Sequence, residues 1–258
     1  MYADHSPADE GMDAPVATLT VFGFGEGERM WALAQMGFAR LLLRGVPGMR
    51  FRKLMGTGRG PGFTLAPDWG RYALLAAWDS ESHARAFLDD SRFMRRYRRH
   101  ARADATVMLR AISSHGTWDG CAPFPISRRN EPLRDDEALG VLTRASIRPS
   151  RLAAFWNRVA PVSDMLERAP GLRVSIGIGE LPFIRQATFS IWESRNAMME
   201  FAYRAAEHRD VIARTRDEGW YSEEMFTRFE VIASIGDFPP AGMEQRKPER
   251  KNSEGGAL

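Results

Sequence analysis

The segment PGMRFRKLMG at 47–56 aligns without a gap on PGLRVSIGIG at 170–179, and LLAAWDSESHARAF at 74–87 aligns on TFSIWESRNAMMEF at 188–201. A Pro-Gly-x-Arg start, a tryptophan closing a strand and a phenylalanine in the following helix recur in both copies. Around each copy the apolar patterning reads β-α-β-β-α-β, the order of a ferredoxin-like module. A repeat of this length implies two such modules fused in one chain. Each sheet can bury one face under its own helices and must bury the other against its partner. The expected fold is therefore α+β, with two fused ferredoxin-like βαββαβ modules forming an intramolecular dimeric α/β barrel.

In the first copy, strands are predicted at 16–24, 49–55, 72–78 and 106–112 from their β-branched and aromatic content. Met30, Leu33, Ala34, Gly37 and Leu41 fall at helical spacing and predict a helix over 29–43. The acidic DSES sequence is expected to cap a second helix, from 81 to about 102. The second copy repeats the order, with a strand at 139–147, a helix from 150 that kinks or breaks at Pro161, two strands, a long helix and a last strand. The boundaries follow: a disordered tail at 1–15, an N-terminal half at 16–116, a linker at 117–137 rich in Pro, Gly and charge, a C-terminal half at 138–238, and a disordered tail at 239–258.

Composition narrows the function classes. Net charge is +3, and Cys121 is the sole cysteine, which excludes an internal disulfide and any cysteine-only zinc site. No apolar run has the roughly 18 residues of a membrane-crossing helix. The N-terminus lacks the basic and apolar regions of a secretory signal, so a cytoplasmic location is expected. Arg92, Arg95, Arg96, Arg98, Arg99 and Arg102 crowd one segment. They predict either a solvated helix face or a peripheral contact with the inner face of an anionic membrane. No nucleic-acid motif accompanies them, and no nucleic-acid partner is expected. GTGRGPG at 56–62 lacks the Lys-Ser/Thr of a phosphate loop and joins two strands, so it is not read as a nucleotide site.

One histidine is out of place. Met198, Phe201, Ala205, His208, Ile212 and Thr215 share a helical face on which every other member but the threonine is apolar. The repeat pairs His208 with Met94, so packing alone does not call for an imidazole there. Two readings stand: a satisfied core histidine, or a metal ligand. His5, His83 and His100 sit in exposed contexts, which leaves His115 as the rival. No two histidines have the spacing of a multidentate zinc or iron site. A lone internal imidazole suits a cofactor that brings its own equatorial ligands, and heme is the standard case.

The strings FGFGEGERMWALAQMG, FRKLMGTGRGPGFTLAPDW, GTWDG, LTRASI, FWNRVAPVSDML, GIGELPFIRQATFSIW and RDEGWYSEEMFTRFEVI resemble the spheroidene monooxygenase family over roughly residues 18–237. The pattern H-x11-W-x2-E-E, from His208 through Trp220 to Glu223 and Glu224, stands as in that family. The resemblance implies a heme-dependent monooxygenase that oxidises a CH2 of an acyclic carotenoid, with keto formation at C-2. It implies heme b, with its iron held by His208, and O2 with an external electron donor such as a ferredoxin. Phe201, Ile212, Arg216 and Trp220 are then expected around the cofactor, and Gln186, Thr188 and Ser190 as distal hydrogen-bonding groups on one face of a strand. A strand face pointing into the barrel is the other expectation for those three. The alternatives are a non-enzymatic barrel that binds heme or another small ligand, and a cofactor-free monooxygenase of the same fold.

Overall fold

Strand β1 (Val16–Phe24) leads through a 3-10 turn at Glu26–Glu28 into α1 (Arg29–Leu42), β2 (Met49–Gly58) and β3 (Pro67–Trp78). Helices α2 (Glu81–Asp90) and α3 (Arg92–His100) and strand β4 (Ala101–Gly116) complete the first half. The second half runs β5 (Leu139–Ile147), α4 (Leu152–Glu167), β6 (Leu172–Leu181), β7 (Arg185–Trp192), α5 (Arg195–Arg204) and β8 (Tyr221–Ile235). This computed structural model describes residues 14–59, 66–126, 133–134, 136–181, 183–204 and 219–238; side chains at 158–164, 167, 203 and 204 fall outside the description.

The eight strands close into an antiparallel barrel in the order β1-β3-β2-β6-β7-β5-β8-β4. Each half supplies a four-stranded sheet, and the halves join edge to edge through β2–β6 and β4–β8. Closure leaves no unpaired sheet edge, which removes the template for edge-to-edge association. Because side chains alternate along a strand, one set of residues fills the barrel and the other faces outward. Leu19, Val21, Leu75, Leu109, Phe189 and Phe229 are among the interior set, and all are buried.

Two local outcomes differ from the sequence expectation. The helix predicted over 81–102 is two helices. Ser91, extended at φ −72° and ψ 150°, ends α2, and its Oγ accepts from Met94 N–H at 3.0 Å to start α3. A serine that supplies the missing acceptor makes a new helix start as favourable as continuation. On α1, the residues whose spacing announced the helix, Met30, Leu33, Ala34, Gly37 and Leu41, all face solvent. Its inward face is instead Ala32, Gln35, Ala39 and Leu43. Small side chains allow close approach to the sheet, and the buried Gln35 Oε1 accepts from Arg96 Nε at 3.2 Å. Helix α4 continues through Pro161 to Glu167.

The segment 117–126 carries core residues: Trp118 and Phe124 belong to the barrel interior. Trp118 forms an isolated bridge with Cys121, which folds GTWDG over one barrel mouth. Gly116 has φ +81°, and a Cβ there would lie 2.1 Å from the Glu224 carbonyl oxygen. Only glycine fits that turn.

Candidate functional site

The two halves use equivalent strand positions very differently on their outer faces. In the N-terminal half, the floor beneath the helices has Leu54, Leu74 and Thr20 side by side across β2, β3 and β1, with Tyr72 and Phe22 in the next row. Phe93, Met94 and Tyr97 of α3 pack with these large side chains in one cluster. Burial pushes the Tyr97 hydroxyl well above the usual phenol range.

In the C-terminal half, the matching row is Gly177, Thr188 and Thr143 across β6, β7 and β5, and the next row holds Gln186 and Ala145. Each large side chain of the first floor has thus become small or polar: Leu54 to Gly177, Leu74 to Thr188, Tyr72 to Gln186, Phe22 to Ala145. The row beyond pairs Ser190 with Ser175 and Val141. Thr143 is exposed although Val141 and Ala145 beside it are buried. Ser175 Oγ is buried and has no hydrogen-bond partner among the described residues. A floor that is both recessed and polar is what a bound molecule requires and what a helix packed for stability does not.

Walls rise on two sides of this floor. Trp192 stacks obliquely on Phe201 of α5 with centroids 5.4 Å apart, and both belong to a cluster with Val141, Ala169 and Met198. Beside that wall a cavity of about 260 Å³ opens between α4 and α5, lined by Met165, Arg168, Ala169, Ala197, Glu200 and Phe201 among others; no floor residue lines it. At the other end Trp220 is buried with Ala145, Ile147 and Phe155. On β8, Arg228 lies opposite Val141, and its guanidinium is 5.4 Å from the Phe226 ring. A cation therefore stands in the floor where the first half has Met108.

Gln186, Thr188 and Ser190 point outward into this floor, not into the barrel. Ser190 Oγ accepts from Trp192 Nε1 at 3.0 Å, and Gln186 Nε2 donates to the Leu181 carbonyl at 3.1 Å. Phe201 and Trp220 bound the floor from opposite ends. His208, Ile212 and Arg216 lie outside the described residues. Their repeat partner in the first half is informative: Met94, matched to His208, is fully buried over the first floor. The rival His115 is exposed and pairs in register with Phe226, which in turn pairs with Thr143. It therefore sits on the same row as Thr188, three strand spacings away, roughly 14 Å. Sequence reasoning missed Thr143, Ser175, Gly177 and Arg228. The gapless repeat alignment carried the signal for two of the contrasts, since it already matches Leu54 to Gly177 and Leu74 to Thr188.

The barrel interior is the other place a ligand could occupy, and its described side chains form one buried apolar cluster. Its apolar side chains pack from both sheets, and GTWDG closes one mouth through an ionic network. Lys53 pairs with Glu180 at 2.6 Å and with Asp119, and Trp118 Nε1 donates to Glu180 at 2.7 Å. Arg144, 2% exposed, pairs with Glu223 and lies over the Trp118 ring at 5.3 Å. Burial alone would raise the Glu223 carboxyl. Donation from Gly120 N–H and Thr117 Oγ1, each at 2.8 Å, and from Arg144 overrides it and holds the pKa down to about 2. Glu223 and Glu224, singled out by the sequence pattern, thus separate: Glu223 locks the plug and Glu224 faces outward in solvent.

Among the described residues, no three His, Cys, Asp or Glu side chains come together as a metal site. No family model matches the chain. A spheroidene monooxygenase of Rhodobacter capsulatus is 38% identical over 225 residues, covering 87% of this chain and 93% of the relative. A spheroidene monooxygenase of Rubrivivax gelatinosus is 40% identical over 221 residues, covering 86% and 84%. Among solved structures, an aldoxime dehydratase aligns over 86% of this chain and 82% of its own, with a TM-score of 0.55 at 10% identity. That likeness shows the fold alone.

Proposed function

The chain belongs to the spheroidene monooxygenase family, and we propose that it oxidises a CH2 of an acyclic, carotenoid-like substrate to a ketone at C-2, using heme b held on the outer face of its C-terminal half. The observation that carries this reading is the exchange of the Leu54–Leu74–Thr20 floor for Gly177–Thr188–Thr143. The residues present fit such a group. The floor carries small and polar side chains, Ser175 Oγ lacks a partner among the described residues, and Phe201 and Trp220 supply apolar walls. His208 would hold the iron in this reading, supported by its match in the repeat to Met94, which is buried.

When bound, heme supplies O2 activation, with electrons from an external donor such as a ferredoxin. The protein's part is position and exclusion of water. Thr188 and Thr143 stand in register at the centre of the floor, where their hydroxyls can donate to a polar group above them. Gln186 and Ser190 flank them, each tied to a neighbour that fixes its orientation. Trp192 and Phe201 shield one end from solvent, and Trp220 with Phe155 the other. An apolar polyene reaching this face would leave water behind. Two hydroxylations of one CH2, each consuming one O2 and two electrons from the donor and releasing one water, would give a geminal diol that loses water to the ketone. The test is incubation of the heme-supplied protein with an acyclic carotenoid, a reductant system and O2. A keto product supports the proposal. Substrate recovered unchanged by a heme-loaded, reducible protein contradicts it.

A further inference from the structure

We infer that α1 docks this protein onto a bilayer that carries anionic headgroups. The helix has two apolar faces, and only one is used by the fold. Ala32, Gln35, Ala39 and Leu43 pack inward. Outward stand Met30, Leu33, Phe38 and Leu41, exposed by 75%, 41%, 67% and 73%. Four large apolar side chains on one three-turn ridge form a contiguous patch of the kind that marks an interaction surface. The residues that define the helix's sequence periodicity are the ones turned to solvent.

The charge around the ridge says what covers it. From Arg29 to Val46 there is no acidic residue. Arg40 and Arg44 flank the ridge, and neither has an ion pair among the described residues. Across from α1, Arg96 of α3 donates to Gln35 and its guanidinium is 5.7 Å from the Trp31 ring. Arg92 and Arg99 lie four residues before and three after Arg96, so they share its side of the helix. Neither meets a carboxylate among the described residues. Arg95 and Arg98 of the same helix are paired with Asp90 and Asp104, each at 3.1 Å. Arg92 and Arg99 thus add uncompensated positive charge next to Arg96, which contacts α1.

A second copy is a poor occupant for this surface. Two-fold pairing would bring one arginine rim against the other, and like charges juxtaposed in an interface disfavour it. Anionic headgroups neutralise the rim while the ridge enters the acyl boundary, the arrangement of interfacial amphipathic helices. Among the described residues no helix is long and apolar enough to cross a membrane, so docking by this face is peripheral. The inference holds whatever the cofactor and substrate, and its failure leaves the heme assignment untouched.

Co-sedimentation of the full chain with phosphatidylcholine vesicles, with and without phosphatidylglycerol, tests it. Binding is expected to the anionic vesicles and to weaken as salt rises. The Phe38→Ser/Leu41→Ser double variant should partition at least about tenfold more weakly. Arg40→Ser/Arg44→Ser should weaken binding to anionic vesicles specifically. Circular dichroism and thermal melting of both variants report the fold, which these exposed positions do not support. Unchanged partitioning of either folded variant, equal binding to both vesicle types, or a dimer in light scattering that Phe38→Ser/Leu41→Ser converts to monomer would each overturn the inference.

Discussion

Thr20 and Thr143 occupy the same position in the two halves of the barrel and live in opposite surroundings. Thr20 is sealed at 1% exposure with its hydroxyl 2.8 Å from Thr106 Oγ1, whereas Thr143 is exposed. The same residue at the same place in the same fold makes an internal control, and what differs among the described strand residues is the size of its neighbours. Removal of Leu54, Leu74, Tyr72 and Phe22 from the second floor is the change that opens a site.

The contrast can be exchanged. Thr188→Leu or Gly177→Leu restores the filled floor of the first half in the second. Both variants are expected to remain folded while heme affinity falls at least about tenfold, because the added side chain occupies space a ligand needs. The reciprocal Leu74→Thr leaves a cavity and a hydroxyl in a packed layer and should cost about 2–4 kcal/mol of stability. Heme titration followed by absorbance and urea unfolding check the two directions.

Much of this was legible in the sequence. The repeat yields the barrel, since two sheets with this patterning have no other way to cover their inner faces. The tryptophans at 78 and 192 set the same register in both halves, Val16 opposite Trp78 and Leu139 opposite Trp192. The orientation of α1 was not legible, because apolar residues stand on both faces, Trp31, Met36 and Leu42 packing inward while Met30, Leu33, Phe38 and Leu41 are exposed. The role of GTWDG was hidden as well. Its glycines and aspartate read as a linker, while Trp118 is held in place by contacts with Lys53, Arg144 and Glu180, which are far from it in sequence.

The plug is expected to be a stability element. Trp118→Ala should cost about 3–5 kcal/mol, as for other large buried aromatics. Gly116→Ala should be similarly damaging, since its positive φ and the 2.1 Å approach to the Glu224 oxygen leave no room for a methyl group. Equilibrium denaturation measures both.

Glu223 predicts a specific acid limb. Its folded pKa is depressed to about 2 from an ordinary 4.5. A depressed carboxyl contributes stability that is fully present above pH 4.5 and is lost as pH falls toward 2. Glu223→Gln should therefore be less stable than the parent at neutral pH, by about 1–3 kcal/mol, because the buried Arg144 keeps only the more distant Asp119 carboxylate, at 3.8 Å. The gap should narrow between pH 4.5 and 2. Parallel melting curves across that range would show it.

Absorption spectroscopy of the protein expressed with ample heme tests the central claim most directly. The account predicts a Soret band in the parent and in His115→Ala, and its loss or marked weakening in His208→Ala with far-UV circular dichroism unchanged. A parent protein without bound heme, or a band that survives in His208→Ala and disappears in His115→Ala, would contradict it.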